Sequence, residues 1–166
     1  TGIKNVGSVG GYGLNVLANS LYVKNLPDCN FYFEPVADDS GCSLGAAMLG
    51  YRYITKDESI YRVRNNFYHF YEPTTKEYGS KATIKDLCNI LNKQKIIALF
   101  EGAPEAGPRA LGHRSLLFDP RHIDGKKIIN SLKKREWYRP FAGVILKEKF
   151  NEYFETMGLK ESPYMT

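Results

Sequence analysis

Cysteine, histidine and tryptophan are scarce in this sequence, and long apolar runs are absent. The three cysteines form no CxxC pair, and their odd number argues against a disulfide framework or a structural zinc site. No apolar run approaches the roughly 18 residues that a membrane-spanning helix needs, and no secretory signal opens the chain. We therefore expect a reducing, cytoplasmic setting and no membrane partner.

The composition is typical of a folded protein. Hydrophobic residues make up 43% of the 166 positions and charged residues 25%, which excludes wholesale disorder. This length fits one ordinary domain or two small ones. A net charge of +5 permits an anionic small molecule or a nucleic acid as partner. Because the chain starts at Thr1 rather than Met, we expect a fragment of a longer protein; a complete protein from which a tag was cleaved is the alternative.

Hydrophobic periodicity in the first part of the chain predicts alternating strands and helices. The predicted elements are a strand-like run before the glycine-rich segment 7–13, a helix over 14–23, an aromatic strand over 31–36, a capping turn at 38–41 and a helix over 43–53. Periodicity is weak over about 55–80, where turn-forming residues are frequent. We therefore place a domain boundary in that stretch.

Similar patterns predict further elements in the second part. They are a helix over 83–92, a strand over 95–100, a strand over 115–118, a helix from Asp124 to about 134, a strand over 141–146 and a helix over 150–157. The helix that starts at Asp124 is expected to bury Ile128, Ile129 and Leu132. The segment 101–113 is predicted to be a loop between two strands, and it contains three glycines and two prolines.

Basic residues concentrate in and after this loop. They are Arg109, Arg114, Arg121, Lys133, Arg135 and Arg139. Arginine on a fixed loop suits bidentate recognition of phosphate. Glycine lets the backbone approach an anion closely, and proline holds the loop in place before the ligand arrives. For any single basic residue, a solvated surface position or an ion pair with a nearby carboxylate is the alternative. For the whole set, phosphate binding is the favoured interpretation.

Three segments that contain these basic residues together resemble the O-carbamoyltransferase family, which includes nodulation-factor and antibiotic-tailoring carbamoyltransferases. They are 107–115 (GPRALGHRS), 119–121 (DPR) and 133–142 (KKREWYRPFA). Further resemblances follow the family order along nearly the whole chain. They are a glycine-rich phosphate motif at 10–15 (GGYGLN) with Asn19, an acidic turn and helix at 34–47 (EPVADDSGCSLGAA), and 162–165 (SPYM).

The resemblance implies an α/β (α+β) fold made of parts of two domains. Residues 1–72 would be the C-terminal part of an actin-like (ASKHA) carbamoyl-transfer domain, and 73–80 a linker. Residues 81–166 would be the N-terminal part of a YrdC-like twisted α/β domain, truncated in this chain. In the implied reaction, carbamoyl phosphate and ATP give carbamoyl adenylate and pyrophosphate. The carbamoyl group then passes to a hydroxyl or amine of a small-molecule acceptor.

The family motifs also imply site residues. Arg109, Lys133 and Arg139 would bind carbamoyl phosphate and the ATP phosphates, and they are the catalytic candidates. The nucleotide-binding candidates are Gly10, Gly11, Asn15, Gly107, Arg114, Ser115, Arg121 and Arg135. Arg114, Arg121 and Arg135 are second-rank candidates, with a structural role as the alternative. Structural alternatives also remain for the others: a tight turn for the paired glycines, a helix cap for Asn15 and an ordinary strand position for Ser115.

Asp39 matches the family aspartate that helps to hold a metal ion. The resemblance implies Mg²⁺ with ATP, and Fe²⁺ or a similar divalent metal in the full-length protein. The two histidine ligands of the family lie in an HxxxH motif upstream, and none of His69, His113 and His122 has that spacing. Asp39 alone cannot form a site, and a helix N-cap is its alternative role.

Two other functions remain open at this stage. One is an RNA- or nucleotide-binding YrdC-like module, although the basic residues form no long stripe and no RNA-binding signature is present. The other is a threonylcarbamoyl-adenylate-type tRNA modification enzyme, against which the order of the two domains argues. An oligomer remains possible. The fragment itself is expected to be inactive, because both half-sites look incomplete.

Overall fold

The computed structural model describes residues 2–59, 79–159, 161–162 and 164–165. These ranges contain two two-stranded sheets and five α-helices, so the predicted mixture of helices and strands is confirmed. In chain order the elements are β1 (Asn5–Ser8), α1 (Val16–Asn25), β2 (Asn30–Phe33), α2 (Ser40–Thr55), α3 (Ile84–Asn92), β3 (Ile97–Phe100), β4 (Arg114–Leu117), α4 (Gly125–Leu132) and α5 (Phe150–Tyr153). Among them, no helix is long and apolar enough to span a bilayer.

The chain divides into two compact units. The first is built from residues 1–70, 105–109 and 146–166, and the second from 71–104 and 110–145. The expected linker at 73–80 lies, apart from its last two residues, outside the described residues, as does His69. The linker and its domain assignment stay predictions.

The first unit contains a parallel β1–α1–β2 crossover. The two strands pair from Asn5 opposite Asn30 to Ser8 opposite Phe33. Helix α1 begins after Asn15, whose side-chain Oδ1 accepts the backbone N–H of Ala18 at 3.2 Å. Such a cap satisfies one of the unpaired N–H groups at a helix start. The helix expected over 14–23 is therefore confirmed, and it starts two residues later because the cap sets its boundary.

Two aromatic residues of β2 pack together in this unit. The Phe31 ring stacks between Tyr22 and Phe33, with ring centroids 6.3 and 5.9 Å apart. Phe33, Val36 and Ala37 are buried. The strand expected over 31–36 ends at Phe33, because Pro35 has no N–H to donate to a ladder.

The second unit contains α3, an antiparallel β3–β4 hairpin and α4. Helix α3 begins with a capping box, in which Asp86 N–H donates to Thr83 Oγ1 at 3.2 Å and Thr83 N–H donates to Asp86 Oδ2 at 2.9 Å. The hairpin pairs Ile97 with Leu117 and Phe100 with Arg114. The helix over 83–92 and the strands near 95–100 and 115–118 are thus confirmed.

Some expected elements are wrong. Residues 141–146 form no strand, and none of the described strands pairs with them in a hydrogen-bonded ladder. The helix expected over 150–157 is the four-residue α5, because Phe154 adopts an extended conformation. Of the three apolar residues that α4 was expected to bury, only Ile129 is buried, whereas Ile128 and Leu132 are 38% and 59% exposed. Apolar spacing identified the inward face of α4 but overestimated its width.

Candidate functional site

Gly107 fixes the loop that carries Arg109 within the first unit. Its φ is +88°, a conformation that L side chains rarely adopt. A Cβ atom at this position would lie 2.9 Å from the backbone oxygen of Pro35 and 3.4 Å from Cα of Val36. The loop therefore approaches the backbone after β2 closely, and only glycine fits there without a shift.

Arg109 is held by a hydrogen bond in the same unit. Its Nη2 donates to the carbonyl oxygen of Leu14 at 2.8 Å. This bond uses one of the five N–H donors of the guanidinium and fixes its direction. Arg109 also lines a small cleft, together with Gly13, Leu14, Val16, Glu34, Pro35, Tyr164 and Met165. The cleft thus presents a cation whose orientation is set by the backbone.

Glu34 places a carboxylate in the cleft with Arg109. Its Oε1 accepts the backbone N–H of Val36 at 3.1 Å, and its Oε2 accepts the hydroxyl of Tyr32 at 2.9 Å. Partial burial, followed by the hydrogen bond to Glu34, raises the pKa of Tyr32 to about 12. The phenol therefore stays a donor at neutral pH. The cleft contains both signs of charge and is not a purely cationic pocket.

The glycine-rich segment forms a tight turn before α1. Gly10 has φ +76°, and Gly11 begins a short 3₁₀ turn in which Gly13 N–H donates to Gly10 O at 2.9 Å. Asn19 is buried, and its Nδ2 donates to Gly13 O at 2.8 Å. The turn is therefore tied to the helix that follows it. The Oδ1 atom of Asn19 is also buried and has no hydrogen-bond partner among the described residues.

Four basic residues lie in the segment after α4, residues 133–139, which we name the cationic loop. Lys133 is the C-cap of α4, and Lys134 has φ +50°, so the helix ends there. The side chains of Lys133 and Arg139 are exposed. Arg139 Nε donates to Glu136 Oε2 at 2.6 Å. This contact raises the pKa of Arg139 and lowers the pKa of Glu136.

Asn130, a buried residue of α4, connects this helix to the cationic loop. It is 1% exposed, and its Nδ2 donates to the carbonyl oxygens of Trp137 at 3.0 Å and Arg139 at 3.1 Å. Its Oδ1 accepts Nε of Arg135 at 2.6 Å, and the Arg135 guanidinium lies 4.5 Å from the centroid of the Phe141 ring. The loop backbone is therefore fixed while its other basic side chains face solvent.

Arg114 and Ser115 stabilise the base of the β3–β4 connection. Arg114 Nη1 donates to the carbonyl oxygens of Glu101 and His113 at 2.8 and 2.9 Å, and its Nη2 donates to Gly102 O at 2.8 Å. The guanidinium also lies 3.4 Å from the centroid of the Phe100 ring. Ser115 Oγ accepts Gly112 N–H at 2.9 Å. These contacts support the structural alternative for both residues.

Arg121 forms an ion pair with a buried carboxylate. Its Nε lies 2.9 Å from both oxygens of Asp119, and its Nη2 donates to Asn92 Oδ1 at 3.2 Å. Asp119 is 6% exposed, and its hydrogen bonds with Arg121 lower its pKa to about 2. Arg121 therefore has a structural partner in the second unit.

The predicted site residues fall into two sets. Gly10, Gly11, Asn15, Gly107 and Arg109 belong to the first unit, and Arg114, Ser115, Arg121, Lys133, Arg135 and Arg139 belong to the second. Within the second unit, the cationic loop brings three of them together. The ligand-binding roles of both sets stay predictions.

Asp39 stands at the N-cap position of α2. Its side chain makes no capping hydrogen bond, so the position of the expected cap is right and its hydrogen bond is missing. Within the described ranges, no three His, Cys, Asp or Glu residues come together to hold a metal ion. The metal-ligating role of Asp39 therefore stays a prediction.

The part of the chain that contains the cationic loop matches a known family. Residues 88–166 match the family model described as carbamoyltransferase C-terminus. Over these residues the chain belongs to the carbamoyltransferase family. The family motif segments at 107–115, 119–121 and 133–142 all lie within the matched range.

Relatives of this carbamoyltransferase-family chain align along nearly all of its length. Nodulation protein NolNO of Sinorhizobium fredii is 32% identical over 181 residues, covering 99% of this chain and 27% of that protein. Nodulation protein NolO of Bradyrhizobium diazoefficiens is 31% identical, covering 99% of this chain and 33% of that protein. The 3'-hydroxymethylcephem-O-carbamoyltransferase of Amycolatopsis lactamdurans is 33% identical, covering 94% of this chain and 30% of that protein. The chain thus spans about a third or less of the length of these relatives.

Sequence reasoning missed Asn130, which holds the cationic loop. A lone asparagine inside a predicted helix gives no signal of burial, because its partners lie seven and nine residues later in an irregular segment. The one available hint is its position next to Ile129, on the expected inward face of α4.

Proposed function

We propose that the protein carrying this chain is an ATP-dependent carbamoyltransferase. Carbamoyl phosphate, ATP and water would give carbamoyl adenylate, pyrophosphate and phosphate. The carbamoyl group would then pass to a hydroxyl or amine of a small-molecule acceptor, as the name of the cephem relative indicates for that protein. The proposal includes an actin-like part before the linker, a YrdC-like part after it and a reducing, cytoplasmic setting.

The observation that carries this proposal is the cationic loop within the family-matched segment. Lys133 and Arg139 are exposed there, on a backbone that Asn130 fixes from within. Adenylation brings two polyanions together, and cations fixed before the reaction reduce their repulsion without reorganising. Free surface lysines would not provide this preorganisation.

Each of the predicted basic residues keeps a defined task in the proposal. Lys133 and Arg139 bind the phosphates of carbamoyl phosphate and ATP, and Arg109 binds an anion from its own cleft. Arg135 maintains the loop and adds positive charge, while Arg114 and Arg121 maintain the scaffold. Mg²⁺ would accompany ATP as part of the substrate.

The test is pyrophosphate release by the protein that carries this chain. ATP and carbamoyl phosphate are supplied together and singly, without acceptor, to wild type and to Arg139→Ala. Arg52→Ala, which removes an exposed arginine of α2, is the matched control. We expect release that needs both substrates and falls roughly 100-fold in Arg139→Ala, since it removes a preorganised cation. ATP turnover that ignores carbamoyl phosphate, or equal rates in the two variants, contradicts the proposal.

A further inference from the structure

Both side-chain N–H donors of Asn130 and its side-chain oxygen are used within one loop. The N–H groups donate to Trp137 O and Arg139 O, and the oxygen accepts from Arg135 Nε. Its own backbone carbonyl accepts Arg135 N–H at 3.1 Å. A residue that is 1% exposed therefore joins the last turn of α4 to three points of the cationic loop.

The chemistry of these partners requires an amide. The two carbonyl oxygens need donors, and the guanidinium needs an acceptor. A carboxylate offers only acceptors and would face two carbonyl oxygens, while an apolar residue would leave all three partners unsatisfied. Asparagine is the short side chain that supplies two donors together with an acceptor, whereas a hydroxyl has only one donor.

The bonded backbone atoms belong to the region that presents the proposed phosphate ligands. One of the two accepting carbonyls is that of Arg139 itself, and Lys133 lies three residues after Asn130 as the C-cap of α4. The left-handed conformation of Lys134 lies between them. A non-glycine residue in this conformation costs free energy, which contacts elsewhere have to offset.

We infer that Asn130 is a positioning residue, which sets the relative placement of Lys133 and Arg139 for a phosphate-bearing substrate. This inference rests on the proposed function. Asn130 touches no substrate in this scheme, and it acts through the backbone of the cationic loop. Small displacements of charged groups that bind a reacting phosphate have large effects on rate and affinity.

The test compares Asn130→Asp and Asn130→Ser with wild type in the protein that carries this chain. Asn130→Asp keeps an acceptor for Arg135 and replaces the N–H donors, whereas Asn130→Ser removes the amide without adding charge. Asn89→Asp, at an exposed position of α3, is the matched control for the substitution and the added charge.

Rates of pyrophosphate release are measured against carbamoyl phosphate at saturating ATP. We expect both Asn130 variants to raise KM for carbamoyl phosphate roughly tenfold or more, while Asn89→Asp keeps the wild-type value. A merely structural role would reduce the folded fraction, and hence kcat, without changing KM. An unchanged KM in Asn130→Ser overturns the inference. An effect confined to Asn130→Asp also overturns it, because charge would then be the cause.

Failure of the proposed function gives a different result. If the wild type releases no pyrophosphate with both substrates present, the proposed function is refuted. Calorimetric binding of inorganic pyrophosphate then tests the loop alone. Weaker binding by Asn130→Ser than by wild type and Asn89→Asp supports the positioning role, and equal or no binding by all three overturns it. If Asn130→Asp does not fold, Asn130→Ser carries the same comparison.

Discussion

Replacing Gly107 with alanine should destabilise the first unit substantially. Two costs combine at this position. The φ of +88° disfavours any L side chain, and the added Cβ would lie 2.9 Å from a backbone oxygen that cannot rotate away. Left-handed strain of about 1–2 kcal/mol and overpacking of about 1–3 kcal/mol give a loss of roughly 2–5 kcal/mol. For a chain of this size, that corresponds to a fall in Tm of roughly 4–20 °C.

The assay is thermal unfolding followed by far-ultraviolet circular dichroism, with Gly45→Ala as the matched control. Gly45 lies within α2, and a Cβ there would meet nothing within 4 Å. Alanine is the better helix former, so Gly45→Ala should stabilise by about 0.5–1 kcal/mol. The same substitution is thus expected to act in opposite directions at the two sites.

This reasoning is refuted if the Gly107→Ala protein has the same Tm as the wild type. The close approach of the loop to Pro35 would then be absent in solution. The hydrogen bond from Arg109 to Leu14 would lose its support as well, because Gly107 holds the backbone that leads to Arg109.

Two further predictions concern the second unit. Arg114→Lys should lower the free energy of unfolding by about 2 kcal/mol, because an ammonium cannot reproduce the three carbonyl contacts and the planar stacking on Phe100. A melting temperature equal to that of the wild type contradicts this prediction. The pKa of Asp119 is about 2 in the folded state against 3.8 for the free group, so its contribution to stability is present above about pH 5 and is lost as the pH falls toward 2. Asp119→Asn should therefore lower Tm at pH 6, and the Tm of the variant should fall less than that of the wild type between pH 5 and 2. If Tm falls equally in both proteins, the contact between Asp119 and Arg121 is not the cause of the acid sensitivity.

Local signals in the sequence predicted most helix and strand positions. The Thr83 and Asp86 pair marks the start of α3 because both partners lie within one turn and need nothing else from the fold. The same holds for Asn15 at the start of α1. Such elements could be placed to within one or two residues from the printed sequence.

Signals that depend on distant partners failed. Residues 141–146 have the composition of a strand, but a strand also needs a neighbour, and the composition does not say whether one is available. The prediction of burial failed similarly. The spacing of Ile128 and Leu132 indicates the face of α4 on which they lie, but it does not show whether other residues cover that face. Asn130 combines both difficulties: its burial and its partners are set by the irregular loop that follows.

The individual arginines of the candidate site show most clearly that the sequence does not reveal the distant contacts of a side chain. The family motifs rank Arg139 as a catalytic candidate and Arg114 as a second-rank nucleotide-binding candidate, but the sequence does not show what either side chain contacts. Among the described residues, Arg114 donates to three backbone carbonyls, and Arg139 donates to a half-exposed carboxylate. The difference bears on ligand binding. Withdrawing Arg114 would unpair carbonyl groups at the base of a hairpin, whereas exposed ion pairs contribute little to stability. In the proposed function, an arriving phosphate would therefore displace Glu136 from Arg139 at small cost, on a loop whose backbone Asn130 holds.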